Sequence, residues 1–300
     1  MVSRIPASLA LFFFLGNSAL FAGELPASTV TVSWTNTIES PGVCVDRAGW
    51  FVSVIPDTVS IDKLGTARLK FSDKTLEAKL LFVDAPQRLC LLEASSEIAG
   101  VSPFSLAVVR PLKAGQKLEC LFNRSAALTM VAGKDWSYRG ERYSMPFLRV
   151  RVANPDEFCN SGTPLISSEG ELAGILTGQE LDNNGETHAI PVSRIRKLVE
   201  DVKRYKKSGP VWIGLIFHNE TSTPEVIEVK SGSPAEEAGM KVGDVILSMN
   251  GSETASLEDL AEVIYDLPAG EATEVTVLRG LSGETVSITP RFADMASTAP

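Results

Sequence analysis

Few residues in this chain could do chemistry. Of its 300 residues only two are histidine, His188 and His218. That scarcity limits general-base chemistry by imidazole and argues against histidine-rich metal sites. Ser161 sits in an Asn160-Ser161-Gly162 turn. A serine hydroxyl needs an adjacent base to become a good nucleophile, and this turn taken alone is common. Four cysteines, Cys44, Cys90, Cys120 and Cys159, form no Cys-x-x-Cys pair. A zinc knuckle or a thioredoxin-like dithiol is therefore not expected. Export would let the four form disulfides. The sequence leaves all three full pairings open, and buried free thiols as well. No metal site and no cofactor is expected.

The start of the chain bears on that compartment. Arg4, the apolar run Leu9–Leu15 and the small residues Ala19–Ala22 read as a secretory signal, residues 1–22, cut after Ala22. Removing Arg4 leaves 27 basic against 37 acidic residues, from 28 and 37, so the charge moves from −9 to −10. An acidic surface repels phosphate backbones, and no nucleic-acid partner is expected. No later stretch is apolar for long enough to span a bilayer, so no membrane span is expected after cleavage. The 44% apolar and 22% charged shares exclude a wholly disordered chain, and the length favours two domains.

The elements that must position these residues are mostly short strands. Val30–Trp34, Gly42–Val45, Trp50–Val54, Ala67–Phe71, Ala78–Val83, Leu89–Glu93, Lys117–Phe122, Leu148–Val152, Pro164–Ser167 and Leu172–Leu176 are apolar runs bounded by turn residues. Such spacing predicts an all-β sandwich or barrel. Ile195, Leu198, Val199 and Val202 recur at helical spacing and predict a helix over 192–206. Lys206-Lys207-Ser208-Gly209-Pro210 reads as a linker. A second unit follows over 211–292. It is read as strands Trp212–Phe217, Glu225–Val229, Asp244–Met249, Glu274–Arg279 and Thr285–Pro290, with helices Pro234–Ala238 and Leu257–Leu267. Residues 293–300 read as a frayed tail.

The run from Ser231 to Gly251, containing Ser233-Pro234-Ala235 and Gly243-Asp244-Val245-Ile246, strongly resembles the PDZ domains of bacterial exported proteases. Gly239 suits a helix end, and Asn250-Gly251 a tight turn. The resemblance implies that Ile213-Gly214-Leu215 offers backbone amides to a peptide's terminal carboxylate. The strand after it, through Phe217 and His218, would take the peptide by β-augmentation. Leu260 and Ile264 would line the pocket for the last side chain. The implied partners are peptide or protein C-termini. Helical spacing alone leaves Leu260 equally readable as core.

The whole order of β-rich domain, helix and PDZ resembles the HtrA family of exported serine proteases. This implies a mainly β fold: a trypsin-like double β-barrel over 25–207, then an α+β PDZ domain. Cys159-Asn160-Ser161-Gly162-Thr163-Pro164-Leu165 resembles the family's nucleophile loop and places Ser161 at the nucleophile position. Gly49-Trp50-Phe51-Val52-Ser53-Val54-Ile55-Pro56 resembles the stretch that ends in the catalytic His, but Pro56 stands there. Asp84-Ala85-Pro86-Gln87-Arg88-Leu89 places Arg88 at the orienting Asp, with Asp84 matching a different, non-catalytic aspartate. Proline offers no base, and arginine has the wrong charge to hold an imidazolium. Cys159 and Thr163 replace glycines of the oxyanion loop, and Cys159 as a thiol nucleophile has no evident His partner. The resemblance thus implies an exported HtrA-like pseudoprotease that binds peptides; an active, divergent endopeptidase using Ser161 is the alternative.

Overall fold

The computed structural model describes residues 28–292 except 86, 97, 99, 107–111, 123–124, 139–143, 179–180 and 219–220. The expected signal, residues 1–22, and the tail, 293–300, lie outside the described residues.

Six strands close the first barrel: β1 (Thr29–Ser33), β2 (Glu39–Asp46), β3 (Trp50–Val54), β4 (Ala67–Lys70), β5 (Thr75–Asp84) and β6 (Leu89–Ala94). The order round the barrel is β1-β2-β3-β6-β5-β4, all antiparallel. Its interior is filled by Val32, Phe51, Leu69, Cys90 and Leu92 among others. The second barrel repeats the plan with β7 (Lys117–Phe122), β8 (Ser125–Tyr138), β9 (Ser144–Val152), β10 (Pro164–Ile166), β11 (Leu172–Leu176) and β12 (Thr187–Pro191). A single turn of helix, α1 (Pro155–Phe158), sits between β9 and β10. Closure removes the sheet edges that would otherwise invite aggregation.

β8 and β12 were not among the expected strands. In β8 the alternation is inverted: Thr129 is fully buried while Leu128 and Met130 face solvent. A pattern reader expects the apolar residues inside.

Helix α2 (Val192–Tyr205) closes the barrels, with Ile195, Leu198, Val199 and Val202 buried between them. Each such side chain contributes about 1.5–3 kcal/mol when taken from water. The helix ends where Lys206 takes a left-handed conformation, its amide bonded to Val202.

The last unit holds β13 (Val211–Trp212), β14 (Leu215–Phe217), β15 (Val226–Val229), α3 (Pro234–Glu237), β16 (Val245–Met249), β17 (Ser252–Glu253), α4 (Leu257–Asp266), β18 (Thr273–Arg279), β19 (Ser282–Ile288) and β20 (Arg291–Phe292). The expected strand over 212–217 is two strands, broken at Ile213-Gly214. β13 pairs with β20, β14 with β15, and β17-β16-β18-β19 form a sheet. Asn250 and Gly251, both at positive φ, make the β16–β17 turn, and Gly239 ends α3 at φ +80°. Ser256 caps α4 through a reciprocal bond with Asp259, which satisfies amides the helix start leaves orphaned.

α2 also carries the contact between units. Arg194, 1% exposed, ion-pairs with Asp84 of β5, donates from Nε to Gln87 at 3.2 Å, and lays its guanidinium 4.5 Å over the Tyr265 ring of α4. Lys197 donates to the Leu267 carbonyl at 2.7 Å, and Tyr205 to that of Ala269. Tyr265 belongs to the buried cluster between the barrels.

Candidate functional site

Ser161 lies in the turn between α1 and β10, where Gly162 beside it meets Pro41 and Ser53 of the first barrel. Its hydroxyl donates to the Thr177 carbonyl at 3.0 Å. On the same side Gly178, at φ +73°, approaches so closely that a Cβ there would stand 2.2 Å from Ser161 Oγ. The protein's own backbone thus fills the space beside the hydroxyl. His188 is on β12, beyond Thr177, whose amide donates to the His188 carbonyl; its ring packs on Phe147 at 5.6 Å between centroids. His218 lies in the last unit, exposed, just past the end of β14.

Pro56 follows β3, and Arg88 precedes β6. These strands are neighbours in the first barrel, so the two residues meet. The Arg88 guanidinium donates to the carbonyls of Ile55 at 2.8 Å, Pro56 at 2.6 Å and Val59, and pairs with the exposed Asp57 at 3.2 Å. The Ile55 amide donates back to the Arg88 carbonyl. A cation tied to three carbonyls thus stands beside Pro56. Asp84 is committed elsewhere, to Arg194 of α2.

An oxyanion site at this loop would need the amides of Cys159 and Ser161 turned toward a substrate carbonyl. The Cys159 amide donates instead to the Pro155 carbonyl at 2.8 Å, as the last bond of α1. The Cys159 thiol offers no substitute nucleophile. Burial, with the Asp156 carboxylate adding to it, pushes its pKa up to about 11, so it stays protonated at neutral pH. Among the described residues no group of three or more His, Cys, Asp or Glu is placed to hold a metal.

The second candidate site lies along β14. Among the described residues β14 pairs only with β15, so its other edge is open for an added strand. Ile213 is buried core, Gly214 is buried, and Leu215 and Phe217 are half-buried. Gly214 has a packing reason to be glycine: at φ +82° its Cβ would lie 2.1 Å from that of Ser233. Ile264 of α4 is half-buried and packs against the same core as Leu215 and Phe217. Leu260, 1% exposed, is part of that core and at most floors a groove.

Comparisons with known proteins bear on both sites. Residues 211–289 match the PDZ domain model. A "Probable periplasmic serine endoprotease DegP-like" of Ectopseudomonas mendocina (strain ymp) is 28% identical over 244 residues, which cover 74% of this chain and 50% of that one. Its namesake in Marinomonas sp. (strain MWYL1) is 27% identical over 79% of this chain and 54% of its own. In sequence and in fold the chain is similar to the HtrA family of serine endoproteases. Among solved structures, the HtrA-type protease AlgW with a tripeptide aligns at TM-score 0.61 and 16% identity, over 90% of this chain and 95% of that one. A serine endoprotease from Yersinia pestis aligns at 0.54 and 20% identity, over 89% and 95%. These likenesses fix the fold as the HtrA double barrel with a PDZ domain. The chain spans about half the length of the curated relatives it matches. Their names place them in the periplasm, which agrees with an exported location for this chain.

What neither the fold nor the family likeness made visible in the sequence is the α2–α4 contact. Arg194, Lys197 and Tyr265 look like ordinary helix-surface residues when only spacing is read.

Proposed function

We propose that this HtrA-family chain is a pseudoprotease: an exported protein whose barrels have lost peptide hydrolysis and whose PDZ unit captures peptide or protein C-termini, as a scaffold, chaperone or regulator. The observation that carries the reading is Arg88 bonded to the Ile55 and Pro56 carbonyls. With Pro56 at the base position and Arg88 at the orienter position the frame lacks its base, and among the described residues the Ser161 hydroxyl donates to the Thr177 carbonyl. Losing the base lowers turnover by on the order of 10⁴ to 10⁶. The Cys159 amide spent on Pro155 and the Gly178 backbone beside Ser161 support the same reading. The open edge of β14 supports peptide capture, with the carboxylate on the amides of residues 213–215.

The test has two arms on the purified mature chain. A fluorophosphonate probe and unfolded casein should give no labelling and no cleavage above background; labelling lost in Ser161→Ala would overturn inactivity and favour a divergent endopeptidase. Calorimetry with an apolar-ended peptide library should show binding of free acids, with dissociation constants on the order of micromolar, and much weaker binding of C-terminal amides. Equal binding of acid and amide would remove carboxylate capture.

A further inference from the structure

The four cysteines are not equivalent in the folded chain. Cys44 is on β2 and Cys90 on β6, with β3 between them: Cys44 lies opposite Phe51, and Cys90 opposite Ser53. Two strand spacings and a two-residue offset put their Cα atoms about 12 Å apart, beyond the roughly 7 Å that a disulfide spans. Both belong to the interior of the first barrel. Cys120 is in the interior of the second, on β7 opposite Leu165. Cys159, half-buried, packs against that same interior from the end of α1, a turn that lies on β7. Pairs drawn from different barrels would have to join two separate buried clusters. All four thiols are unbonded in the structure, and Cys159 lies near enough to Cys120 for a negative charge on it to raise the Cys120 thiol.

We infer that Cys120 and Cys159 are a disulfide site, joined after export, while Cys44 and Cys90 remain buried thiols. The chemistry balances with one co-reactant, an oxidised dithiol carrier or small disulfide of the exported compartment. Each cysteine gives up its thiol proton, the two sulfurs form one bond, and the two electrons released cleave the carrier's S–S bond to two thiols. Folded, both thiols are reluctant donors: burial holds Cys120 and Cys159 alike near pKa 11. The bond therefore forms during folding, before the second barrel closes over Cys120. The Thr129 hydroxyl, 3.0 Å from the Cys120 sulfur, can go on donating to it.

The consequence falls on the loop before Ser161. A Cys120–Cys159 bond anchors the end of α1 to β7, and α1 is the turn that takes the Cys159 amide. It also closes a ring over β8 and β9, the long hairpin of the second barrel. This inference stands whether or not Ser161 is active, because it rests only on the positions of the cysteines and on export.

The test uses the full chain, recovered from the exported compartment with a thiol-blocking reagent present. After unfolding without reductant, two blocked cysteines are expected, Cys44 and Cys90, and digestion should yield one linked peptide pair containing Cys120 and Cys159. Four blocked cysteines, or a link between any other pair, would overturn the site. Thermal melting gives a second reading. Reductant should lower the wild-type midpoint by roughly 5–10 °C and leave Cys159→Ser unchanged; a wild-type midpoint indifferent to reductant would also overturn it. If Cys159→Ser does not fold, the peptide map of the wild-type chain decides alone.

Discussion

Arg88 holds a left-handed backbone conformation at φ +55°, which is unusual for a side chain of its size. The strain is offset by three carbonyls that its guanidinium satisfies in the turn after β3. Charge-assisted bonds of this kind contribute about 1.5–3 kcal/mol each when the partners are otherwise buried. The residue therefore has a structural task that a catalytic aspartate could not perform. This sets an expectation for attempted repair. The double variant Pro56→His, Arg88→Asp should remain at least about 10²-fold below an active family member on casein, because the Cys159 amide still faces Pro155 and one lost oxyanion donor costs on the order of 10²–10³ in rate. A double variant that cleaves like an ordinary relative would show that the α1 turn opens on substrate binding.

At the scale of elements, α4 ends on a carboxylate in an unfavourable place. Asp266 is the last residue of the helix, where the dipole already favours positive charge. Burial raises its pKa, Glu262 adds to the rise, and a bond with Ser193 and the charges of Arg194 and Lys197 oppose it without cancelling it. The sign of the linkage follows. A folded-state pKa above the unfolded value of about 3.9 means that the folded protein holds the proton more tightly. The docking of α4 on α2 therefore strengthens as pH falls from that raised pKa toward 4, and weakens above it. Asp266→Asn removes the charge and keeps a partner for Ser193. Its midpoint of thermal unfolding should exceed wild type at pH 7 and converge with it toward pH 4. A lower midpoint at pH 7 would mean that the carboxylate is needed by Arg194 or Lys197.

At the scale of the whole molecule, the PDZ unit is fastened to the barrels by α2, and α4 also touches β9 of the second barrel. Arg194 joins Asp84 of the first barrel to the Tyr265 ring of α4, and both ends of the ion pair are buried. Removing one partner of a buried pair costs about 3–5 kcal/mol, since the other is left charged and alone. Arg194→Met should lose stability in that range, read by urea denaturation. It should also split a single calorimetric transition into two, as the barrels and the PDZ unit unfold separately. A variant that loses stability but keeps one sharp transition would place the coupling in Lys197 and Tyr205 instead.

The strand-rich first part, the closing helix and the PDZ unit are legible in the order of residues, because those features are local. Short apolar runs bounded by turn residues define most strands, Ile195, Leu198, Val199 and Val202 repeat at helical spacing, and Asn250-Gly251 and Gly239 mark a turn and a helix end. That order also carried the motif frames that placed Ser161, Pro56 and Arg88 in sequence along the chain. Strand β8 escaped, since its apolar residues Leu128 and Met130 face outward while Thr129 faces in. Contacts between residues far apart in sequence became visible in the packed fold alone. The Arg88 guanidinium meets the carbonyls of the turn around Pro56, the Cys159 amide closes back on Pro155, Leu260 sinks into the PDZ core, and Arg194 links two domains. Periodicity fixes which face a side chain takes on its own element, but only the packed fold brings one element's side chain to another's backbone.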